Sequence, residues 1–456
     1  MAGLSQLCGT LVLHEHEGAI PVGRASHTTV APSAARLTES LRDIGYDFPA
    51  AVADLVDNSV TAGATKVDIT IEYDGADSRV VIADNGAGMT ANGVLEALRF
   101  GSRRAYGHGD LGRYGLGLKT ASLSQARCLT VVSRAGNKQV TVRQLSLDVI
   151  IEFDDWLIVA PYDTPVYAKA RDTLGKEPGT VVIWESLDRI FQEQKPEGGW
   201  ARRRIEKLAD RAPEHLAVVF HRFLEGAGVP QLTITINGEL VQPWNPFAGD
   251  EPATRRLPVQ SFELTIGEAT GTVRLDRYVL PAKNAFSDPT EFERLSGPRK
   301  WNRQQGLYVY RANRLVQWGG WAGMRGIDEH LKLARASLEF DTDLDGAFNI
   351  NVAKMRVSIP NQLRPMLERP INELCLRADD TYRRASQTAS DPKPPRSSGS
   401  ADGSLVLLAL RSAAMAVGES ASLLKILNHL SNSSPDLAGA LGLSEALPKA
   451  GKKAVA

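Results

Sequence analysis

Cysteine is scarce in this chain. Its three cysteines (Cys8, Cys128 and Cys375) show no pair at metal or disulfide spacing, which excludes a disulfide framework and a cysteine metal centre. That usage suits a reducing, cytoplasmic compartment, with each thiol acting as a small buried hydrophobe. Net charge is missing too: 53 Lys+Arg stand against 53 Asp+Glu, so composition carries no signature of a polyanionic partner. No run reaches the roughly 18 apolar residues of a membrane span. The first residues, MAGLSQLCGTLVLHEHEG, have no basic leader and are not read as a signal peptide. His14 and His16 alternate as on a strand but have no third candidate ligand, so an exposed arm is preferred to a metal site. The Walker A pattern is also lacking, because Leu118 separates Gly117 from Lys119. Gly107–Gly112 fits GxGxxG, but no strand precedes it, and the dinucleotide reading is discarded.

What the sequence does hold is concentrated between Ala53 and Thr120. Asp54 and Asn58 stand four apart, which on a helix puts both on one face. Four apolar residues then run into Asp84-Asn85-Gly86-Ala87-Gly88-Met89, a strand ending in a glycine turn. A third segment reads Gly112-Arg113-Tyr114-Gly115-Leu116-Gly117-Leu118-Lys119. Glycines let backbone N–H groups approach phosphate oxygens closely, and a following helix N-terminus favours negative charge. Asn58 offers a neutral oxygen suited to Mg²⁺, which keeps several waters and takes few protein ligands. Asp54, one turn earlier, can hold and deprotonate a water. Asp84 is an acceptor placed for an exocyclic amine such as that of adenine. Together the three segments describe an ATP site.

This combination resembles the GHKL superfamily of ATPases: gyrase B subunits, heat-shock chaperones, histidine kinases and MutL, with MORC-type ATPases the nearest in look. Asp54…Asn58 matches the first family motif, Asp84-x-Gly86-x-Gly88 the second, and Gly112-x-x-Gly115-x-Gly117-x-Lys119 the third. The resemblance implies that these positions carry the catalytic acid and Mg²⁺ ligand, the adenine-binding Asp and a phosphate-binding lid. It also implies that Thr180, in a Gly-Thr entering a strand, sets a hydroxyl near Asp84. One departure stands out: gyrase, MutL and MORC proteins have Glu where this chain has Asp54, and a shorter carboxylate implies slow turnover. Lys354, in FNINVAKMRVSIP, resembles the switch-loop lysine that reaches the γ-phosphate in the family.

Along the chain, helices are expected from Ser33 to Gly45, with Leu37, Leu41 and Ile44 facing in, and from Pro49 onward. Strands are expected at Lys66–Tyr73, Arg79–Asp84, Cys128–Arg134, 139–145 and 179–184. A long helix over 199–225 follows, in which Arg202, Arg203 and Arg204 read as a solvated face, with nucleic-acid contact as the alternative. A second β-rich unit is expected from Leu232–Gly238 through a hairpin turning at Ala312-Asn313, with Trp318 and Trp321 as core and interface aromatics. Residues 362–386 close it as a helix. A Pro/Ser/Gly linker precedes two short apolar helices split at Gly418 that can dock on a protein partner or a second copy.

The expected class is α+β: an arm (1–32), a Bergerat-type ATP-binding α/β sandwich (33–198), a ribosomal-S5-like transducer domain (199–385), a disordered linker (386–404) and a helical tail (405–456). The expected activity is Mg²⁺-dependent ATP hydrolysis that closes a lid and drives homodimerisation, acting on DNA as a clamp or remodeller. An ATP-gated or chaperone-like scaffold with little hydrolysis stays open. A histidine kinase fits less well, since it would place this module last, behind a dimerisation region with its phospho-acceptor His. No membrane partner is expected.

Overall fold

Alternating burial builds the first sheet. In a computed structural model that describes residues 30–101, 115–192, 195–267, 269–350, 357–390 and 401–434, helices α1 (Ala34–Arg42) and α2 (Phe48–Thr61) precede the antiparallel pair β1 (Lys66–Glu72) and β2 (Arg79–Asp84). Val67, Ile69, Val80 and Ile82 turn to one face and Val81 and Ala83 to the other, as the two-residue strand period requires. After α3 (Ala91–Leu98) and α4 (Gly117–Leu123) come β3 (Cys128–Arg134), β4 (Thr141–Ser146), α5 (Leu147–Phe153), α6 (Pro165–Leu174) and β5 (Gly179–Glu185). β5 is buried from Gly179 through Trp184 because both its faces are covered. Val182 and Trp184 join the core under α2, whereas Val181 and Ile183 pack on Tyr167, Ala170 and Leu174 of α6.

Beyond α7 (Asp188–Phe191), the expected helix 199–225 is two: α8 (Gly199–Val219) and α9 (His221–Glu225), meeting at Phe220. α8 continues through Pro213, and Ile205, Leu208, Ala212 and Leu216 join the first core. The short strands β6 (Thr233–Ile236) and β7 (Glu239–Leu240) correct the placement of Leu232–Gly238 in the second β-rich unit. β6 pairs parallel with β1, giving a seven-stranded sheet in the order β4-β3-β5-β2-β1-β6-β7. The first layer thus runs well past residue 198.

The second sheet holds β8 (Arg255–Ile266), β9 (Ala269–Val279), β10 (Gly306–Arg311), β11 (Arg314–Trp318) and β12 (Ala334–Phe340) in the order β11-β10-β12-β9-β8, with α10 (Pro289–Leu295) and α11 (Lys300–Gln304) between β9 and β10. β10 alternates faces: Leu307 and Val309 join the core with α12 (Leu363–Ser390), whose Leu363, Leu367, Ile371 and Leu374 are buried. Tyr308 and Tyr310 pack instead with Val218 of α8, Trp244 and Phe247. The hairpin turns where expected, with Ala312 and Asn313 at φ 46° and 66°. Trp321 is core, and Trp318 meets His215 of α8 in a tilted ring contact at 5.7 Å between centroids.

Two other expectations change. α1 buries Ala34, Thr38 and Arg42, not Leu37 and Ile44, which are exposed. The cause is polar: Arg42 Nε donates to the Leu123 carbonyl at 2.5 Å and Nη2 to Asp188 at 2.6 Å, so a guanidinium occupies the inward position. The linker is shorter than 386–404, since α12 reaches Ser390 and α13 (Ala401–Ala416) begins at Ala401; residues 391–400 and the arm lie outside the described residues. Residues 386–456 form a separate unit, in which α13 and α14 (Ser420–Ser433) pair through Leu407 and Leu427 across a bend at Gly418. Among the described residues no helix is long and apolar enough to cross a membrane.

Arg311 grips Asp345 with Nε to Oδ1 and Nη2 to Oδ2, both at 2.7 Å, and both side chains are buried. Removing one partner breaks a buried, two-bond ion pair. Asp345→Ala is therefore expected to lower unfolding free energy by about 3–5 kcal/mol. Glu206→Ala, which breaks the exposed i,i+4 pair with Arg202, should cost less than about 0.5 kcal/mol. Urea denaturation of both variants measures the contrast, and equal losses would contradict it.

Candidate nucleotide-binding site

Helix α2 starts on its own cap. Asp47 accepts from the Ala50 amide at 3.0 Å, and Pro49 sits in the first turn, where its missing N–H costs nothing. Val52, Leu55 and Val56 anchor one side of the helix in the core. Asp54 is almost fully buried as well, at 1% exposure. Tyr46 answers it, donating its hydroxyl to Asp54 Oδ2 at 2.7 Å, and Gln125 Nε2 donates to the Tyr46 carbonyl at 3.2 Å. Burial, then the adjacent Asp54 charge, pushes the Tyr46 phenol far above its ordinary value, so it stays a donor. Gly117 lies against the same carboxylate: a Cβ there would sit 3.0 Å from Asp54 Oδ2. Asn58, one turn on, is exposed, and its side chain has no hydrogen bond among the described residues.

Asp84 closes β2 opposite Thr180 of β5. Its Oδ1 accepts from the Gly86 amide at 2.9 Å and its Oδ2 from Ser59 Oγ at 3.0 Å, so one turn of α2 and the strand end share this carboxylate. Burial raises its pKa above the ordinary range, against the lowering effect of Gly86, Ser59 and the Thr180 backbone. Thr180 is held by Ser133, whose Oγ lies 2.9 Å from Thr180 Oγ1, donates to the Gly179 carbonyl and accepts from the Met89 amide at 2.8 Å. The glycine turn is packed tightly. Gly88 has φ +63°, and a Cβ there would fall 1.8 Å from the Arg134 carbonyl; one at Gly86 would fall 2.8 Å from Ala62 Cβ.

Asp84, Gly86, Gly88, Met89 and Thr180 thus meet where β2 ends beside β5, with Ser59 tying Asp84 to α2; Asp54 lies against Gly117, and Asn58 precedes Ser59 on the same helix. Gly115, Leu116 and Leu118 are partly exposed on the approach to α4 and within its first turn. Lys119 turns elsewhere: its buried Nζ donates to the Ala97 carbonyl of α3 at 2.8 Å, and burial lowers it to about 8 despite the Glu96 charge. Gly112, Arg113, Tyr114 and Lys354 lie outside the described residues, as do His14 and His16. Among the described residues no cluster of three or more His, Cys, Asp or Glu can hold a metal ion by itself. The exposed Asn58 amide beside Asp54 fits an ion that brings its remaining ligands as water and phosphate, as Mg²⁺ does. Sequence reasoning missed Tyr46, Ser59 and Ser133; only Ser59, next to Asn58, was within reach of a helical-wheel argument.

Residues 46–180 match the family described as histidine kinase-, DNA gyrase B-, and HSP90-like ATPase. Among characterised proteins, the chain is similar to the DNA mismatch repair protein MutL of two strains of Halobacterium salinarum, at 35% identity over 136 residues, covering 28% of this chain and 20% of the relative. It is also similar to the ATPase MORC2B of Mus musculus, at 38% identity over 79 residues, covering 16% of this chain and 8% of the relative. The chain thus spans about a fifth or less of the length of these relatives. Residues 46–180, the stretch that carries Asp54, Asn58, Asp84 and Thr180, thus form a domain of the histidine kinase-, DNA gyrase B-, and HSP90-like ATPase type.

Proposed function

We propose that this domain binds Mg²⁺-ATP and hydrolyses it slowly to ADP and phosphate. The observation that carries the reading is that α2, which bears Asp54 and Asn58, is tied by Ser59 to Asp84, which closes β2 opposite Thr180. Asp84, with both oxygens fixed, accepts a hydrogen bond from the adenine amine while Thr180 flanks it. Asn58 offers its amide oxygen to Mg²⁺, which when bound supplies positive charge to the phosphates. The segment from Gly112 to Lys119 covers the phosphates as a lid. Asp54, aimed by Tyr46, orients the attacking water and takes its proton as the bond from the γ-phosphorus to the ADP oxygen breaks.

The second sheet with α12 serves as a transducer of the ribosomal-S5-like kind, and Lys354 reaches the γ-phosphate. Nucleotide closure drives homodimerisation, and the relatives' mismatch-repair title supports DNA as the object acted on. One observation favours a second reading, an ATP-gated scaffold with little turnover. Asp54 is shorter than the family's Glu and is buried and engaged by Tyr46, which restricts its reach to water.

Two variants separate binding from chemistry. Asn58→Ala should stay folded, since the side chain is exposed, and lose Mg²⁺-dependent ATP affinity. Asp54→Asn should keep ATP bound while kcat falls about 100-fold or more, because an amide cannot take the proton. Calorimetry beside a phosphate-release assay checks both, and wild-type turnover in Asp54→Asn would assign the base elsewhere.

Asp84 makes the binding pH-dependent. Its carboxyl titrates above the ordinary range, and once protonated it no longer offers the amine an ionised acceptor. ADP affinity should therefore fall on acidification, beginning at a higher pH than an ordinary aspartate would require. Asp84→Asn should bind weakly throughout and flatten the profile. The stability effect has the opposite sign: with the folded-state pKa raised, the contribution of Asp84 is fully present below its unfolded pKa and is lost as pH rises through the folded one. An unchanged affinity profile in Asp84→Asn would contradict the adenine assignment.

A further inference from the structure

Asp57, which nothing in the nucleotide reading uses, stands between Asp54 and Asn58 in α2 and is 1% exposed. At 100° per residue it projects about 60° to one side of Asp54 and Asn58 about 40° to the other. The same helical turn therefore carries all three. Arg314, on β11 of the second sheet, donates from Nε to Asp57 Oδ1 at 2.9 Å, with side-chain exposures of 4% and 1%. Both charges are taken far out of water, and the ion pair between them is a buried link from the second sheet to α2.

The hairpin that carries Arg314 is braced on several sides. His221 Nε2 lies 2.8 Å from Tyr310 Oη. Arg222 donates to Asn313 Oδ1 at 3.0 Å and stacks 3.7 Å over the Tyr310 ring. Arg311 holds Asp345, and Gln317 Oε1 accepts from the Val357 amide at 3.3 Å. A displacement of the β10–β11 hairpin therefore passes through a buried ion pair to the turn of α2 that presents Asp54 and Asn58, and the reverse holds equally. The adenine side is tied less closely: of the groups that hold Asp84, only Ser59 shares the α2 turn, whereas Gly86 and Thr180 belong to the end of β2 and to β5.

We propose that Arg314 is a positioning residue for the nucleotide reaction: acting through Asp57, it sets the α2 turn that carries Asp54 and Asn58, so that phosphate chemistry depends on the second sheet more than adenine recognition does. This rests on the ATPase reading above. A small misplacement of a catalytic carboxylate is costly to rate, and binding contacts elsewhere do not feel it.

The test uses the full chain and compares wild type with Asp57→Asn/Arg314→Met, which removes both charges of the pair. Measured on each are ADP affinity, kcat and KM for Mg²⁺-ATP, and Tm, with kinetics taken well below the variant's Tm. The neutral pair should keep ADP affinity within about twofold and lose about tenfold or more in kcat. Arg314→Lys, which keeps the charge without the guanidinium fork, should fall between the two, and it takes the place of the double variant if that one does not fold. A folded variant with wild-type kcat overturns the proposal. So does a parallel loss of ADP affinity and kcat, which marks general damage. Wild type that binds no nucleotide defeats the ATPase reading itself, and this inference with it.

Discussion

Helix α2 buries two carboxylates three residues apart, and much of the molecule is arranged to answer them. An isolated ionised carboxylate in an apolar interior costs several kcal/mol even after relaxation. Asp54 is met by the Tyr46 hydroxyl from the loop before the helix. Asp57 is met by Arg314, 257 residues later in the chain. The first answer is local and can form as soon as α2 packs. The second requires the β10–β11 hairpin to have folded and docked. The two sheets are thereby bound by a charge requirement as well as by apolar contact between Val218, Tyr308 and Tyr310.

That difference also sorts what was legible in the sequence. The strand pairs β1–β2 and β3–β4 and the hairpin at Ala312-Asn313 were legible because alternation and turn chemistry are local signals. The buried run of β5 was legible for the same reason. Sheet membership is not local: the residues of β6 read equally well as a strand of either sheet, and only its parallel register with β1 decides. The inward face of α1 was misread because the periodicity of Leu37, Leu41 and Ile44 outweighed Arg42, whose partners at Leu123 and Asp188 lie far along the chain. Within the site, Asp54, Asn58 and Asp84 carried recognisable spacing. Tyr46 and Ser133 did not, since a supporting hydroxyl has no spacing of its own.

The glycines of the second motif do two kinds of work. Gly88 adopts a left-handed φ and presses on the Arg134 carbonyl, and Gly86 fits against Ala62. The fold needs both to be glycine whether or not a phosphate approaches. Lys119 likewise has a structural occupation, its ammonium bound to the Ala97 carbonyl. A site judged by its glycines and its lysine alone would be hard to tell from a tightly packed turn.

Asn58 and Asp84 are different. Asn58 sits exposed on an otherwise buried stretch of helix, and among the described residues its side chain makes no hydrogen bond. Packing therefore gives no reason for an amide there. Asp84 receives hydrogen bonds on both oxygens and is still raised in pKa by its surroundings. That desolvation is offset in part by the Ser59 hydroxyl and the Gly86 amide, so the strand end, the glycine turn and α2 share one carboxylate, and Ser59, which follows Asn58 in the helix, links the two positions.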